Sequence, residues 1–190
     1  MLEIKYEKLS KIAQIYNGAR TTRYINKENG IKTKVLSGRI ENNQLTYDEE
    51  NIDQLDPKFY SKTNDIIIHL ADTTNILLLK EEGVLIPQNY AIIRLKEGYN
   101  PEYIYNILKS TQFQHKINKI QMGSIVKFLK VNDIRNIKIK ILPKDKQEDY
   151  GKLLKEIEKK VELYNKKITL EEKYLNGLLQ KELGDDYVKI

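Results

Sequence analysis

The chain has 190 residues, with 33 Lys and Arg against 27 Asp and Glu, a net charge of +6, and no Cys. The lack of Cys excludes a disulfide scaffold and thiolate metal sites, and it is typical of a reducing compartment. No stretch approaches the roughly 18 apolar residues of a membrane span, and the first residues lack the apolar core of a signal peptide. We therefore expect a soluble, cytoplasmic protein.

The positive charge is unevenly distributed along the chain. From Lys144 onward 11 Lys balance 11 Asp and Glu, so the whole net charge falls on the first 143 residues. The stretch from Lys109 to Lys140 contains eight basic residues and one acidic residue, Asp133. A basic body favours a polyanion such as nucleic acid as its partner, although a merely solvated surface can carry the same pattern.

The first third of the chain predicts short, irregular elements. Apolar spacing from Leu9 to Ile15 predicts a helical turn that runs into a strand, and a polar loop from Ala19 to Tyr24 follows. Lys34-Val35-Leu36 predicts a short strand that ends in a turn at Ser37-Gly38. The acidic stretch 41–58 predicts a loop or a weak hairpin.

The middle of the chain carries the strongest strand pattern. Asp65 to Leu70 predicts a buried strand, and Asp72 to Asn75 predicts a tight turn rich in hydrogen-bonding side chains. Return strands are predicted at Ile76 to Leu79 and at Asn89 to Leu95.

Helices follow these strands. Asn100-Pro101-Glu102 is a helix start, with Asn as the cap and Pro at the first position. Thr111 with Gln114 predicts a capping box that opens a second helix, which ends near Met122-Gly123-Ser124. Ile137 to Ile141 alternates Ile with Lys and predicts a strand with one buried and one basic face. The body is therefore predicted to be α+β.

The last fifth of the chain predicts one long helix, from Asp145 to about Leu183, with the apolar seam of a coiled coil. Glu171 is the one polar residue at a seam position. A lone helix of this length, roughly 55–60 Å at about 1.5 Å per residue, is expected to extend beyond a small body, so its seam needs a partner. The alternative is a solvent-exposed helix with one face packed on its own domain. Alternating steps of three and four residues define the seam as Leu154, Ile157, Val161, Tyr164, Ile168, Leu175 and Leu178.

Patterns of catalytic and metal-binding residues are missing from the sequence. There is no Gly-rich phosphate loop, no nucleophile motif and no His cluster with metal-ligand spacing. His69 falls in an apolar strand and His115 on a helix, far apart in sequence. We therefore predict a protein without catalytic residues, cofactor or metal.

Three polar loops carry the side-chain types that read DNA. Arg bonds guanine, Asn or Gln bonds adenine, and Thr contacts the thymine methyl, whereas Lys on phosphates positions the protein. Ordinary turn chemistry is the alternative for each loop. The loop residues predicted to bind DNA are Arg20, Thr22 and Arg23, then Asp72, Thr73 and Thr74, and finally Gln121, Ser124 and Lys127. The residues predicted to contact phosphates are Lys116, Lys119, Lys138 and Lys140.

The order of these motifs resembles half of the DNA-specificity (S) subunit of type I restriction–modification enzymes. The resemblance rests on the Leu9 to Gly18 opening, Asn64-Asp65-Ile66-Ile67-Ile68, Pro101-Glu102-Tyr103-Ile104, Gly123-Ser124, and Ile139-x-Ile141-Leu142-Pro143 with Gln147 before the heptad helix. Asn64 stands where the family usually has Gly, and Lys146 where it usually has Glu.

The resemblance implies a function and partners. Complete S subunits carry two target-recognition domains, each followed by a long helix, and the two helices pack antiparallel as a spacer. Each domain reads half of a bipartite DNA target. The assembly recruits adenine methyltransferase subunits and can add translocating endonuclease subunits, and catalysis resides in those partners.

For this chain, the resemblance implies a recognition domain at 1–144, a spacer and dimerisation helix at 145–183 and a tail at 184–190. We expect two copies to pair antiparallel through their helices and to read a palindromic, interrupted site. Two alternatives stay open. One is a coiled-coil interaction module, such as a decoy or inhibitor of a restriction system, without sequence-selective DNA binding. The other is an enzyme with an unrecognised nuclease-like site.

Overall fold

A computed structural model describes residues 5–41, 44–121, 128–184 and 187, without the side chains of 38–41 and 44. The chain divides into two compact units, residues 1–151 and 152–190. In the described part, no helix is long and apolar enough to cross a membrane.

The described elements run in this order: β1 (Lys5–Lys8), α1 (Leu9–Ile12), β2 (Ala13–Asn17), β3 (Ile31–Glu41), β4 (Gln44–Ile52), β5 (Ile66–His69), β6 (Ile76–Leu78), β7 (Tyr90–Leu95), α2 (Pro101–Lys109), α3 (Thr111–Gln121), α4 (Val131–Asn136), β8 (Lys138–Ile141) and α5 (Lys144–Leu183). Short 3-10 turns lie at Thr21–Arg23 and Pro57–Phe59.

A four-stranded antiparallel sheet with the order β2-β7-β5-β6 forms the centre of the body. Neighbouring side chains of a strand point to opposite faces, so Ile66 and Ile68 pack with the helices while Ile67 packs with Leu36 of β3. All three Ile residues are fully buried. The prediction of a buried strand here, of the turn after it and of the return strands is confirmed.

The prediction for α2 is also confirmed. The Asn100 side chain accepts a hydrogen bond from the Tyr103 amide (2.9 Å), and Pro101 occupies the first position. The predicted capping box of α3 is wrong. Ser110 is the residue that caps, since its Oγ accepts the Phe113 amide (3.3 Å) and Gln114 turns instead toward Thr73.

One prediction for 34–58 is wrong and the other holds in part. β3 continues to Glu41 rather than turning at Ser37-Gly38. The acidic stretch, predicted as a loop or a weak hairpin, supplies the second strand, β4, of a hairpin with β3. The pairing shifts register between Leu36 and Ile40, which places Ser37-Gly38 at a β-bulge. Gly marks bulges as well as turns, and the two signals look alike in a sequence.

The first two turns of α5 are anchored within the body. Gln147 is buried, accepts the Asn100 amide through Oε1 (3.1 Å) and donates through Nε2 to the Leu142 carbonyl (2.8 Å). Gly151 lies against the Asn100 side chain so closely that an added Cβ would collide with it. The helix begins at Lys144, one residue before the predicted start.

Candidate DNA interface and helix seam

The first predicted recognition loop is held by backbone hydrogen bonds at both ends. The Ala19 amide donates to the Ile86 carbonyl (2.8 Å) where the loop begins, and the Asp53 amide donates to the Tyr24 carbonyl (2.9 Å) where it ends. Between these points the 3-10 turn leaves Arg20, Thr22 and Arg23 exposed. Exposed Arg side chains on an ordered turn have the chemistry to bond guanine edges or phosphates.

The second loop is stabilised largely by its own side chains. The Asp72 carboxylate accepts hydrogen bonds from Thr74 Oγ1 (2.6 Å) and Asn75 Nδ2 (2.8 Å), and the Asp72 amide donates to His69 Nδ1 (2.9 Å). Burial lowers the pKa of the His69 imidazole, and the Asp72 carboxylate opposes this shift. A neutral imidazole is the form that accepts the Asp72 amide, so His69 has a structural role in this turn.

Thr73, in the same loop, is buried rather than exposed. Its carbonyl accepts a hydrogen bond from Gln114 Nε2 of α3 (2.8 Å). This contact joins the second loop to the helix that carries the next predicted residues, and sequence spacing gave no signal for it.

α3 presents a basic face to solvent. Phe113 and Ile117 are buried four residues apart, and this places Lys116 and Lys119 on the exposed side. Gln121 is half-buried at the end of the helix. Ser124 and Lys127 lie outside the described residues.

The helix unit 152–190 exposes the predicted seam. Ile157, Val161 and Ile168 are each about half exposed, at 50, 52 and 54 %. Tyr164, Leu175 and Leu178 are exposed as well, while Leu154 is half-buried. Apolar side chains in this number are typical of a helix that packs against another helix.

Polar residues beside the seam pair along the helix. Lys166 bonds Glu162 at 2.7 Å, and Lys167 lies 3.6 Å from Glu171, the polar seam residue. Exposed pairs of this kind contribute only a few tenths of a kcal/mol each. They therefore add little to the stability of the helix.

A second apolar line on the same helix has no counterpart among the predicted residues. Leu163, Leu170 and Tyr174 are 56, 66 and 69 % exposed and follow one another at steps of seven and four. The signal was present in the sequence, but it lies outside the heptad seam.

The described residues contain no group of three His, Cys, Asp or Glu side chains able to hold a metal ion. Asp65, directly before β5, is instead paired with Arg94 through two contacts of 2.9 and 2.6 Å.

Comparisons with known proteins give matches among solved structures but not among family models or curated sequences. No protein-family model and no curated protein sequence matches the chain at a significant level. Among solved structures, a chain from a type I restriction–modification (R-M) system matches with a TM-score of 0.70 and 16 % identity, over 97 % of this chain and 45 % of that one. This chain therefore shares its fold with slightly less than half of that chain.

Two S subunits match as well, and the chain therefore has the fold of half a type I S subunit. The S subunit of the type I system from M. genitalium matches with a TM-score of 0.61 and 16 % identity, over 98 % of this chain and 46 % of its own length. The HsdS subunit from Thermoanaerobacter tengcongensis matches with a TM-score of 0.62 and 14 % identity, over 97 % and 45 %. The chain thus spans less than half the length of each.

The S-subunit fold confirms the predicted class, a small α+β body followed by a long C-terminal helix. At identities of 14 to 16 %, the likeness is one of fold. The DNA-binding and dimerisation residues stay predictions.

Proposed function

We propose that this chain is the DNA-recognition subunit of a type I R-M system and reads one half of a bipartite target. The observation that carries the proposal is the match of nearly the whole chain to slightly less than half of three S-subunit-like structures. The net charge of +6, all of it in the first 143 residues, favours a polyanionic partner for the body. The chain acts in the cytoplasm.

In this proposal the chain itself does no catalysis. Residues 1–144 bind DNA, and the chain recruits methyltransferase subunits and, where the system has them, endonuclease subunits that modify or cut the DNA. Recognition residues are Arg20, Thr22 and Arg23 with the exposed Asp72 and Thr74 of the second loop, while Lys116 and Lys119 contact phosphates. The exposed loops and the basic face of α3 support these assignments.

We further propose that two copies pair antiparallel through the seam of residues 145–183. The exposure of Ile157, Val161 and Ile168 on a 40-residue helix supports this pairing. A two-fold axis between the copies relates two identical recognition domains, so the target is an inverted repeat interrupted by a gap.

Selection from a pool of random duplex DNA tests the recognition role. The purified chain is incubated with the pool at moderate salt, and bound duplexes are amplified and sequenced over several rounds. We expect two inverted copies of one short motif at a fixed separation. Arg20→Ala with Arg23→Ala should weaken discrimination between bases of the motif by roughly 1–3 kcal/mol per lost bidentate contact. Absence of any enriched motif would contradict the proposal.

A further inference from the structure

The first and last strands of the body form a separate two-stranded ribbon with a basic face. β1 pairs antiparallel with β8, and Lys8 lies opposite Lys138 while Tyr6 lies opposite Lys140. Residues directly opposite in an antiparallel pair share a face. All four are exposed, Tyr6 to 66 %.

The positive charges on this face are not balanced by the acidic residue of the ribbon. Glu7 is the one acidic residue of the two strands, and it lies on the other face, where it pairs with Lys5 (3.2 Å) and accepts a hydrogen bond from Tyr99 (3.3 Å). Within the described residues, Lys8, Lys138 and Lys140 form no ion pair. Lys8 donates to the neutral amide oxygen of Asn136 (3.1 Å).

The arrangement works against the fold unless an anion neutralises it. Like charges directly opposite each other in a sheet are destabilising. Three lysines in or near the β3–β4 hairpin are neutralised within the chain instead. Lys32, Lys34 and Lys58 each pair with a carboxylate within 2.8 Å.

The ribbon is also held in place by the body. The Leu9 amide donates to the Ile137 carbonyl (2.9 Å) at its base, and the buried Tyr103 hydroxyl donates to the Lys140 carbonyl (3.0 Å). Ile139 of β8 is buried on the face of the ribbon opposite the lysines. Cations on an ordered element lose less freedom when they bind than cations on a flexible tail.

We infer that this ribbon is a phosphate-binding surface that contacts the backbone of duplex DNA, with Lys8, Lys138 and Lys140 as cations and the Tyr6 hydroxyl as a neutral donor. The inference rests on the proposed function. It joins Lys138 and Lys140, which the sequence predicted as phosphate contacts, to Lys8 and Tyr6 of β1, a strand that the sequence did not predict. Contacts to phosphates position a protein on DNA without specifying sequence.

The salt dependence of binding tests the ribbon. The dissociation constant of the full chain for its selected duplex is measured across a series of KCl concentrations, for the unaltered chain and for Lys8→Gln/Lys138→Gln/Lys140→Gln. Because each neutralised phosphate contributes about 0.9 to the slope of log K against log salt, the slope should fall in magnitude by about 2.7. The preference for the selected duplex over a scrambled one should not change.

A matched control removes three positive charges elsewhere. Lys32→Gln/Lys34→Gln/Lys58→Gln alters lysines that already pair with carboxylates, so its salt slope should stay close to that of the unaltered chain. Thermal unfolding of both triple variants checks that each is folded. Tyr6→Phe removes a neutral donor, so it should weaken binding without changing the slope.

The outcomes separate this inference from the proposed function. If the unaltered chain binds DNA with a steep salt slope and the ribbon variant keeps that slope, the ribbon is not a phosphate site although the proposed function stands. If the unaltered chain shows no salt-dependent DNA binding at all, both fail.

Discussion

At the scale of single residues, a buried ion pair between Asp65 and Arg94 lies at the central sheet. Asp65 is 1 % exposed, accepts two contacts from the Arg94 guanidinium and also accepts the Lys62 amide (2.8 Å). Arg94 donates in addition to the Tyr60 carbonyl (3.0 Å). The pair thus ties β5 and β7 to the loop before β5.

We expect Arg94→Met to lower the free energy of unfolding by about 3–5 kcal/mol, because it leaves the Asp65 carboxylate buried without its counter-charge. Lys32→Met is the matched control, because Lys32 pairs with Glu49 at 2.6 Å while their side chains are 69 and 65 % exposed. The free energy of unfolding should fall by less than about 1 kcal/mol in this variant. Chemical denaturation measures both. Equal losses for the two variants would contradict the role given to the buried pair.

At the scale of elements, local signals predicted the structure where neighbours in sequence decide it. Asn100 and Pro101 fix the start of α2, and the run Ile66 to Ile68 fixes β5, because caps and apolar runs act within a few residues. The bulge at Ser37-Gly38 and the β1–β8 ribbon each depend on pairing with another strand. The partner of β1 is β8, which is the last strand of the body in sequence. A sequence pattern carries no such information.

The two glycines of α5 make opposite predictions. Gly151→Ala should destabilise the body by about 1–2 kcal/mol, because the new methyl displaces the Asn100 side chain that caps α2. Gly177→Ala meets nothing within 4 Å and should stabilise the helix by up to about 1 kcal/mol. Thermal unfolding followed by circular dichroism compares them. Stabilisation by both substitutions would show that Gly151 is not a close-contact position.

At the scale of the whole molecule, the general class was accessible from sequence while the placement of the site was not. The heptad steps and the order of motifs indicated a recognition body followed by a long helix, and the S-subunit fold agrees. Exposure of Lys116 and Lys119 follows from the helical period around Phe113 and Ile117. Burial of Thr73 does not, because it depends on Gln114 in another element.

The central claim is that two copies join through the seam to make one reader of a split target. The most direct measurement is the solution mass of the purified chain by light scattering, across a range of concentrations. Val161→Asp puts a charge into the seam, and Leu170→Asp puts one on an apolar residue outside it that is more exposed, at 66 against 52 %. Antiparallel pairing predicts a mass near twice 22.4 kDa for the unaltered chain and for Leu170→Asp, and near 22.4 kDa for Val161→Asp. A monomeric unaltered chain, or a Val161→Asp variant that still dimerises, would contradict the account.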